Sequence, residues 1–141
     1  MAPFVLVRFG VGPLDPTVAM LVDTGADMTA LGPRDALSLL GRGYLEMDFD
    51  QGPGAITARG FGEGDGSALL SQMELRLQDA DGVDFPISLN VAICKPSPAE
   101  PGQHGNWNMP SLLGRDILEW FDLHLSYNPP SVTLTEVASS S

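Results

Sequence analysis

The sequence predicts an all-β domain with one or two short helices, on three observations. Its 141 residues, 43% of them hydrophobic, suffice for one core, whereas two separate domains would each be marginal. It contains 16 glycines and 12 prolines, which is typical of a chain with many turns. Segments also alternate with the period of a strand, as Leu75 and Leu77 do against Glu74 and Arg76.

Turn residues divide the chain into short elements. In chain order, we predict strands at Phe4–Val11 and Thr17–Val22, a helix at Arg34–Leu40, strands at Ala68–Gln78, Phe85–Cys94 and Leu112–Leu113, a helix at Arg115–Phe121, and a hairpin of Leu123–Tyr127 and Ser131–Val137. Pro33 before the first helix and Gly41 after it are typical helix boundaries. Residues 95–110 form a long Pro- and Gly-rich loop, which in a compact domain is usually functional or mobile. The domain is expected over residues 1–137, and the tail over 138–141 is expected to be disordered.

The charge balance and the cysteine count exclude several classes of protein. With 7 basic and 18 acidic residues the formal net charge is -11, and such a surface repels nucleic acid. The lone cysteine, Cys94, cannot form an internal disulfide. The first residues lack the pattern of a signal peptide, because Arg8 interrupts the only apolar run, and no segment is long enough to span a membrane. A cytoplasmic protein is expected.

The stretch LVDTGAD ends an apolar run on a carboxylate, Asp23. Gly25 permits a sharp turn there, and backbone N–H groups of that turn can hold the carboxylate. The simpler interpretation is a turn aspartate, which is common before glycine. The sequence contains no second Asp-Thr-Gly or Asp-Ser-Gly. If two copies of the chain met at a two-fold axis, however, two Asp23 carboxylates would share one proton and could act as base and acid on one water.

Two motifs together carry a family resemblance. LVDTGADMTAL (Leu21–Leu31) and LLGRDIL (Leu112–Leu118) resemble the paired motifs of the retropepsins, the dimeric retroviral-type aspartic peptidases, and of their bacterial single-domain relatives. A bare Asp-Thr-Gly means little, but the pair with apolar strands before each motif is more specific. The resemblance implies a closed, acid-protease-like barrel, one lobe per chain, active as a homodimer.

The resemblance also implies roles for the first motif. Asp23 would be the catalytic carboxylate, and the Thr24 hydroxyl would reach across to the partner's loop. The Gly25 carbonyl would accept a hydrogen bond from the substrate backbone. Ala26 and Asp27 would line the substrate cleft.

For the second motif the resemblance implies support of the first. Gly114 would pack behind the catalytic loop, and Arg115 would pair with Asp27, although a surface ion pair of little consequence is the alternative. Met109 and Pro110 resemble the wall of the substrate cleft, with core or loop packing as the alternative.

Two positions depart from the pattern. Ala26 stands where pepsin-like relatives often have Ser, and alanine cannot donate a hydrogen bond to an ionised dyad. We therefore expect a mildly rather than strongly acidic working pH. Asp116 stands where the family often has Asn, which changes the local charge.

A glycine-rich stretch between the motifs is a candidate flap. Retropepsins cover the cleft with a β-hairpin, and Gly60–Gly66 resembles such a tip, with Phe61 and Gly62 as substrate contacts. The alternatives are an ordinary mobile loop or a tip at Gly52–Gly54. Trp107 is either a substrate contact or a lid for its own loop.

The resemblance implies an aspartic endopeptidase that hydrolyses an extended polypeptide, with no metal and no cofactor. His104, His124 and Cys94 do not have metal-ligand spacing, and Cys94 at the end of an apolar strand is typical of an inert core residue. The alternative is a retropepsin-like module that binds peptides or assembles a complex without cutting. A hydrolase acting on a non-peptide substrate has no supporting nucleophile or metal cluster.

Overall fold

The computed structural model describes residues 4–11, 15–59, 65–78, 82–97, 101, 105–127 and 130–136. The described part contains nine strands and three short helices. The strands are β1 (Phe4–Phe9), β2 (Thr17–Val22), β3 (Ala30–Leu31), β4 (Ala55–Arg59), β5 (Asp65–Gln78), β6 (Asp84–Cys94), β7 (Leu112–Leu113), β8 (Phe121–Tyr127) and β9 (Pro130–Glu136). The helices are α1 (Pro33–Leu40), α2 (Arg42–Leu45) and α3 (Arg115–Leu118).

Seven of the strands form one sheet, in the order β1-β2-β7-β3-β6-β5-β4. β1 also pairs with β5 through Arg8 and Phe9, so six strands close into a ring. β4 lies outside the ring and pairs with β5. The prediction of an all-β fold with few short helices is confirmed.

The core fills the ring because the strands alternate as the sequence predicts. Val7 and Phe9 of β1, Met20 of β2, and Leu75 and Leu77 of β5 are all fully buried. A side chain of this size contributes about 1.5–3 kcal/mol on burial, so these five positions account for a large part of the stability of the ring.

Two parallel pairings bring distant parts of the chain together. β2 pairs with β7, with Leu21 opposite Leu112 and Val22 opposite Leu113. β3 pairs in parallel with β6 and antiparallel with β7. The end of β2 and the end of β7 therefore lie side by side, which places the residue after each strand, Asp23 and Gly114, at one edge.

The C-terminal strands form a separate two-stranded sheet. β8 and β9 pair with each other from Phe121 opposite Glu136 onward. The predicted helix at Arg115–Phe121 was too long, since α3 ends at Leu118 and Phe121 begins a strand. The physical reason is packing, because Phe121 is buried and its ring meets Phe85 edge-to-face at 5.7 Å.

Helix α1 is confirmed with Pro33 at its start and Gly41 after its end. The sequence did not predict α2, a single turn that follows Gly41, nor β4, which lies in the glycine-rich stretch. β4 pairs with β5 from Ala55 opposite Leu69 to Arg59 opposite Asp65. The alternative flap tip at Gly52–Gly54 is therefore wrong, because that segment lies before β4, at the other end of the hairpin.

The described part of the chain contains no helix with the length and apolar character needed to cross a membrane. The predicted tail over 138–141 lies outside the described residues.

Candidate active site

Asp23 lies at the carboxyl end of β2, where a buried strand meets an open loop. Val22 is buried, the Asp23 side chain is half-buried and Thr24 is exposed. The backbone N–H of Asp23 donates to the carbonyl of Leu113 at 3.1 Å. The carboxylate Oδ1 accepts the Gly25 N–H at 3.0 Å. One chain therefore sets both the backbone position and the carboxylate orientation.

The bond within the Asp23 turn does not by itself identify a catalytic group. Asp48 makes the same kind of bond, since its Oδ1 accepts the N–H of Asp50 at 3.1 Å and that of Gln51 at 3.0 Å. Both are turn aspartates in this local sense. What distinguishes Asp23 is the attachment of its loop to a second part of the chain.

That attachment joins the Asp23 loop (Asp23–Thr29) to the support segment (Leu112–Asp116). A Cβ on Gly114 would lie 2.5 Å from the carbonyl carbon of Met28 and 2.6 Å from its oxygen. Only glycine permits this approach, so the support segment packs directly on loop backbone. The Arg115 N–H donates to the Ala26 carbonyl at 2.8 Å and continues the contact.

The predicted ion pair between Asp27 and Arg115 is present. Its side chains are 77% and 54% exposed, respectively. An exposed pair of this kind contributes little to stability within one chain, since solvent screens it.

A buried polar network lies at the far end of the Asp23 loop. The Thr29 N–H donates to Asp116 Oδ2 at 3.0 Å, and the Thr29 hydroxyl donates to Asp116 Oδ1 at 2.7 Å. The Gly114 N–H donates in turn to the Thr29 hydroxyl oxygen at 3.2 Å. Thr29 is fully buried, and every polar group in the network has a partner.

A second network joins Ser111, the residue before the support segment, to α1. The buried Ser111 hydroxyl donates to Asp35 Oδ2 at 2.6 Å and accepts the Gly32 N–H at 3.0 Å. The Ser111 carbonyl accepts the N–H of Leu21 at 2.8 Å. Ser111 therefore links the start of α1 to β2, the strand that carries Asp23.

Beside the Asp23 loop lies an apolar cluster of small side chains. Its fully buried members are Ala30, Ala68, Ala92 and Cys94, and its half-buried members are Ile56, Leu70 and Met109. The cluster joins β3 and β6 to the β4–β5 hairpin. Burial raises the pKa of the Cys94 thiol to about 12, so the thiol stays neutral and unreactive at ordinary pH.

The base of the β4–β5 hairpin carries an exposed ion pair. Lys95 Nζ lies 2.6 Å from Asp50 Oδ2, and this hydrogen bond holds the pKa of the Asp50 carboxyl below its usual range. A small cavity of about 110 Å³ lies next to it. The cavity is lined by Phe49, Asp50, Ala55, Ile56, Thr57 and Ser67.

Among the described residues, no three His, Cys, Asp or Glu side chains are grouped so that they could hold a metal ion. Cys94 is buried in the apolar cluster and His124 is exposed on β8. His104 lies outside the described residues.

Solved structures share this arrangement of strands. The chain is similar to the EIAV protease complexed with the inhibitor HBY-793, at 19% identity over 84% of this chain and 86% of that one, with a TM-score of 0.46. It is also similar to a retropepsin-like aspartic protease from Rickettsia conorii, at 17% identity over 94% of this chain and 88% of that one, with a TM-score of 0.51. The chain has a retropepsin-like fold. No protein-family model and no curated protein sequence matches it.

The retropepsin-like lobe brings most of the predicted residues of the first motif to one edge. Asp23 is half-buried, and Thr24 and Gly25 are exposed beside it. Ala26 is half-buried and bonded to the support segment, whereas Asp27 is exposed. The loop is thus open to solvent at Thr24, Gly25 and Asp27.

The remaining predicted residues divide into three groups. Met109 packs on the apolar cluster, while Pro110 and Trp107 are exposed. Phe61 and Gly62 lie outside the described residues, as does the whole connection between β4 and β5. The two arms of this hairpin are described, and β4 forms the free edge of the sheet.

Sequence reasoning missed the Thr29–Asp116 network. It noted only that Asp116 changes the charge of the second motif. A stronger signal was available, because Thr29 stands between the apolar residues Met28 and Ala30 at the start of a buried strand. A polar residue in such a place needs a buried hydrogen-bond partner, although the sequence does not identify which residue supplies it.

Proposed function

We propose that the chain is an aspartic endopeptidase that works as a homodimer. One observation carries the proposal. In a retropepsin-like lobe, Asp23 ends a buried strand, and a support segment from a distant part of the chain holds its loop. The lobe offers one such carboxylate, and acid–base chemistry on water needs two groups in opposite protonation states.

In the proposed reaction, two Asp23 carboxyl groups, one from each copy, hold a water molecule between them. Two carboxylates that share one water molecule lie too close for both to be ionised, so the pair holds one proton. The ionised carboxylate takes a proton from the water molecule while the oxygen of that water attacks the scissile carbonyl. The other carboxyl group gives its proton to the carbonyl oxygen, which forms a tetrahedral gem-diol. The C–N bond then breaks as the carboxyl that took the water's proton passes it to the nitrogen, and a hydroxyl of the gem-diol returns a proton to the other carboxylate as the new carboxylic acid forms.

The substrate is proposed to be a polypeptide in extended conformation. It would lie over Gly25, Ala26 and Asp27, next to Met109, which is a half-buried member of the apolar cluster. The β4–β5 hairpin, with Phe61 and Gly62 in its connection, would cover it. An extended peptide can be recognised as an added strand through its backbone hydrogen bonds, with pockets for alternate side chains.

The separate β8–β9 sheet supports the proposed dimer. A two-stranded sheet is marginal alone, and its free edges are places where further strands can add. Two copies of β8–β9 would form a larger sheet at a two-fold axis. The net charge of -11 opposes self-association at neutral pH, so we expect the dimer to tighten as carboxylates are protonated in mild acid.

The deciding experiment is digestion of a mixed peptide library between pH 4 and pH 7, with and without an active-site inhibitor of aspartic peptidases. The wild type and Asp23→Asn are compared at equal folded concentration, with the oligomeric state measured by sedimentation. We expect inhibitor-sensitive cuts by the wild type and at least a hundredfold lower turnover for Asp23→Asn, since the amide cannot exchange the proton.

Asp48→Asn is the matched control, because Asp48 makes the same turn bond as Asp23 and lies outside the proposed cleft. It should cleave like the wild type. A protein that binds library peptides without cutting any of them, and that keeps this binding in Asp23→Asn, would instead be a non-catalytic binding module. Equal cleavage by the wild type and Asp23→Asn would overturn the proposed mechanism.

A further inference from the structure

We propose that Thr29 and Asp116 are positioning residues for Asp23. Their buried hydrogen bonds fix the far end of the Asp23 loop on the support segment, and thereby fix where the carboxylate stands when two copies meet. The catalytic part of this inference rests on the proposed peptidase function. The anchoring part concerns a single chain and can be tested without any substrate.

The network is closed and specific to its two residues. Asp116 uses both carboxylate oxygens on Thr29, Oδ2 on the backbone N–H and Oδ1 on the hydroxyl. The hydroxyl oxygen of Thr29 also accepts the N–H of Gly114 at 3.2 Å. Three bonds therefore join one loop residue to two positions of the support segment.

A carboxylate at position 116 gives each donor of Thr29 its own acceptor. Thr29 presents two donors, an N–H and an O–H, and each is bonded to a different oxygen of Asp116. An amide would offer one acceptor and one NH₂ group. With the amide oxygen on the Thr29 N–H, the hydroxyl hydrogen would lose its acceptor, and a buried donor without a partner is costly.

Between the described residues of the Asp23 loop and the support segment, the network is the only side-chain attachment that includes a fully buried side chain, that of Thr29, and its bonds to Asp116 are partly buried. At the near end of the loop, the Asp23 N–H donates to the Leu113 carbonyl, and in the middle Ala26 accepts from the Arg115 N–H. The other side-chain attachment, Asp27 with Arg115, is exposed. Hydrogen bonds to a charged, partly buried acceptor are stronger than exposed ones, so the network should dominate the side-chain contribution.

Loop position matters because the proposed site is shared between two chains. An error at Asp23 is reproduced in the partner copy, and it changes the separation of the two carboxylates. A misplacement of about 1 Å can cost about a hundredfold in rate. Loss of the anchor should therefore lower kcat more than it raises KM, since the residues that would contact substrate remain unchanged.

The test uses three variants of the full chain. Thr29→Val keeps the branched shape but removes the hydroxyl, Thr29→Ser keeps the hydroxyl, and Asp116→Asn removes one acceptor. Tyr44→Phe is the control, because it also removes a buried hydroxyl, one that donates to the Cys94 carbonyl at 2.5 Å and to no residue of the Asp23 loop or the support segment. The readouts are amide hydrogen exchange of residues 24–28, kcat and KM.

We expect Thr29→Val and Asp116→Asn to raise exchange in the loop about tenfold and to lower kcat about tenfold, with KM within about twofold. Thr29→Ser should restore both to within about threefold of the wild type. Tyr44→Phe should lower overall stability while leaving loop exchange and kcat per folded molecule unchanged. This pattern separates positioning from a general loss of stability.

Wild-type loop exchange in Thr29→Val and Asp116→Asn would overturn the anchoring. Losses of kcat that only follow the folded fraction, as in Tyr44→Phe, would overturn the positioning role. If Thr29→Val fails to fold, the comparison of Asp116→Asn with Thr29→Ser decides. If the wild type cuts no peptide at all, the peptidase proposal and the catalytic part fail together, while the exchange data still decide whether the network anchors the loop.

Discussion

The Asp23 loop and the β4–β5 hairpin are attached to the ring in opposite ways. The loop lies on the support segment Leu112–Asp116 along its whole length. Its backbone is bonded at Asp23 and Ala26, and its far end is held by the buried bonds of Thr29. The strands before and after the loop, β2 and β3, both belong to the ring.

The hairpin, in contrast, has described pairings to the ring through β5 alone. β5 pairs with β6 and β1, whereas β4 has β5 as its one partner among the described strands. At its base the Leu70 N–H donates to the Gly54 carbonyl at 2.8 Å, and Asp50 pairs with Lys95 in solvent. The Asp23 loop and its support segment, together called the floor, are therefore held at several points, whereas the hairpin beside them is held through β5. Local opening should therefore begin at the hairpin.

The largest expected effect comes from breaking the floor at Gly114. In Gly114→Ala the new Cβ would stand 2.5 Å from the Met28 carbonyl carbon, so loop and support segment must separate. We expect a loss of about 3 kcal/mol in the free energy of unfolding, measured in urea. Gly43→Ala is the matched control, because a Cβ there has no neighbour within 4 Å, and it should be neutral or slightly stabilising. Equal effects of the two substitutions would contradict the close packing of the floor.

A middle-sized effect is expected from Cys94, which lies between floor and hairpin. Burial raises its pKa to about 12 from an ordinary value near 9. The stabilisation is therefore complete below pH 9 and is lost as the pH rises toward 12, because the unfolded chain releases its proton first. We expect the free energy of unfolding to fall by about 1 kcal/mol per pH unit above pH 9. In Cys94→Ala the fall between pH 9 and 10 should disappear, and an unchanged slope would show that the thiol is accessible.

The smallest effect is expected at the hairpin base. Lys95 lowers the pKa of Asp50, so the pair stabilises the fold above the ordinary carboxyl pKa and loses that contribution as the pH falls through the lowered one. In Lys95→Met the Asp50 titration midpoint, followed by NMR, should rise toward its ordinary value, with no resolved change in unfolding at physiological salt. Arg42→Met, which removes a cation elsewhere, should leave the midpoint in place. A large loss of stability in Lys95→Met would mean that the hairpin is held as firmly as the floor.

Much of the ring could be predicted because its signals are local. The alternation in β5 and the boundaries of α1 at Pro33 and Gly41 are written within a few residues of where they act. The two motifs could likewise be recognised as a pair, and the structure places Asp23 beside Gly114. The exposed Asp27–Arg115 pair was also predicted, although its geometry contributes little within a single chain.

The features that were missed depend on tertiary contacts. The helix at Arg115–Phe121 was predicted too long because the burial of Phe121 against Phe85, which makes it a strand residue, is a contact between distant positions. β4 was hidden in a glycine-rich stretch whose pairing is set by β5. The role of Asp116 could not be inferred from spacing, since its partner, Thr29, lies in the first motif.

The parallel pairing of β2 with β7 sets an order of events during synthesis. Leu21 and Leu112 are opposite each other in the sheet but lie far apart in the sequence. Until the ribosome has released the later residue, the nascent polypeptide displays its aspartate on an unsupported turn. The acidic group gains its fixed surroundings only after the second motif has left the ribosome. A product truncated before Leu112 should therefore lack a supported Asp23 loop, and long-range strand closure should limit the folding rate.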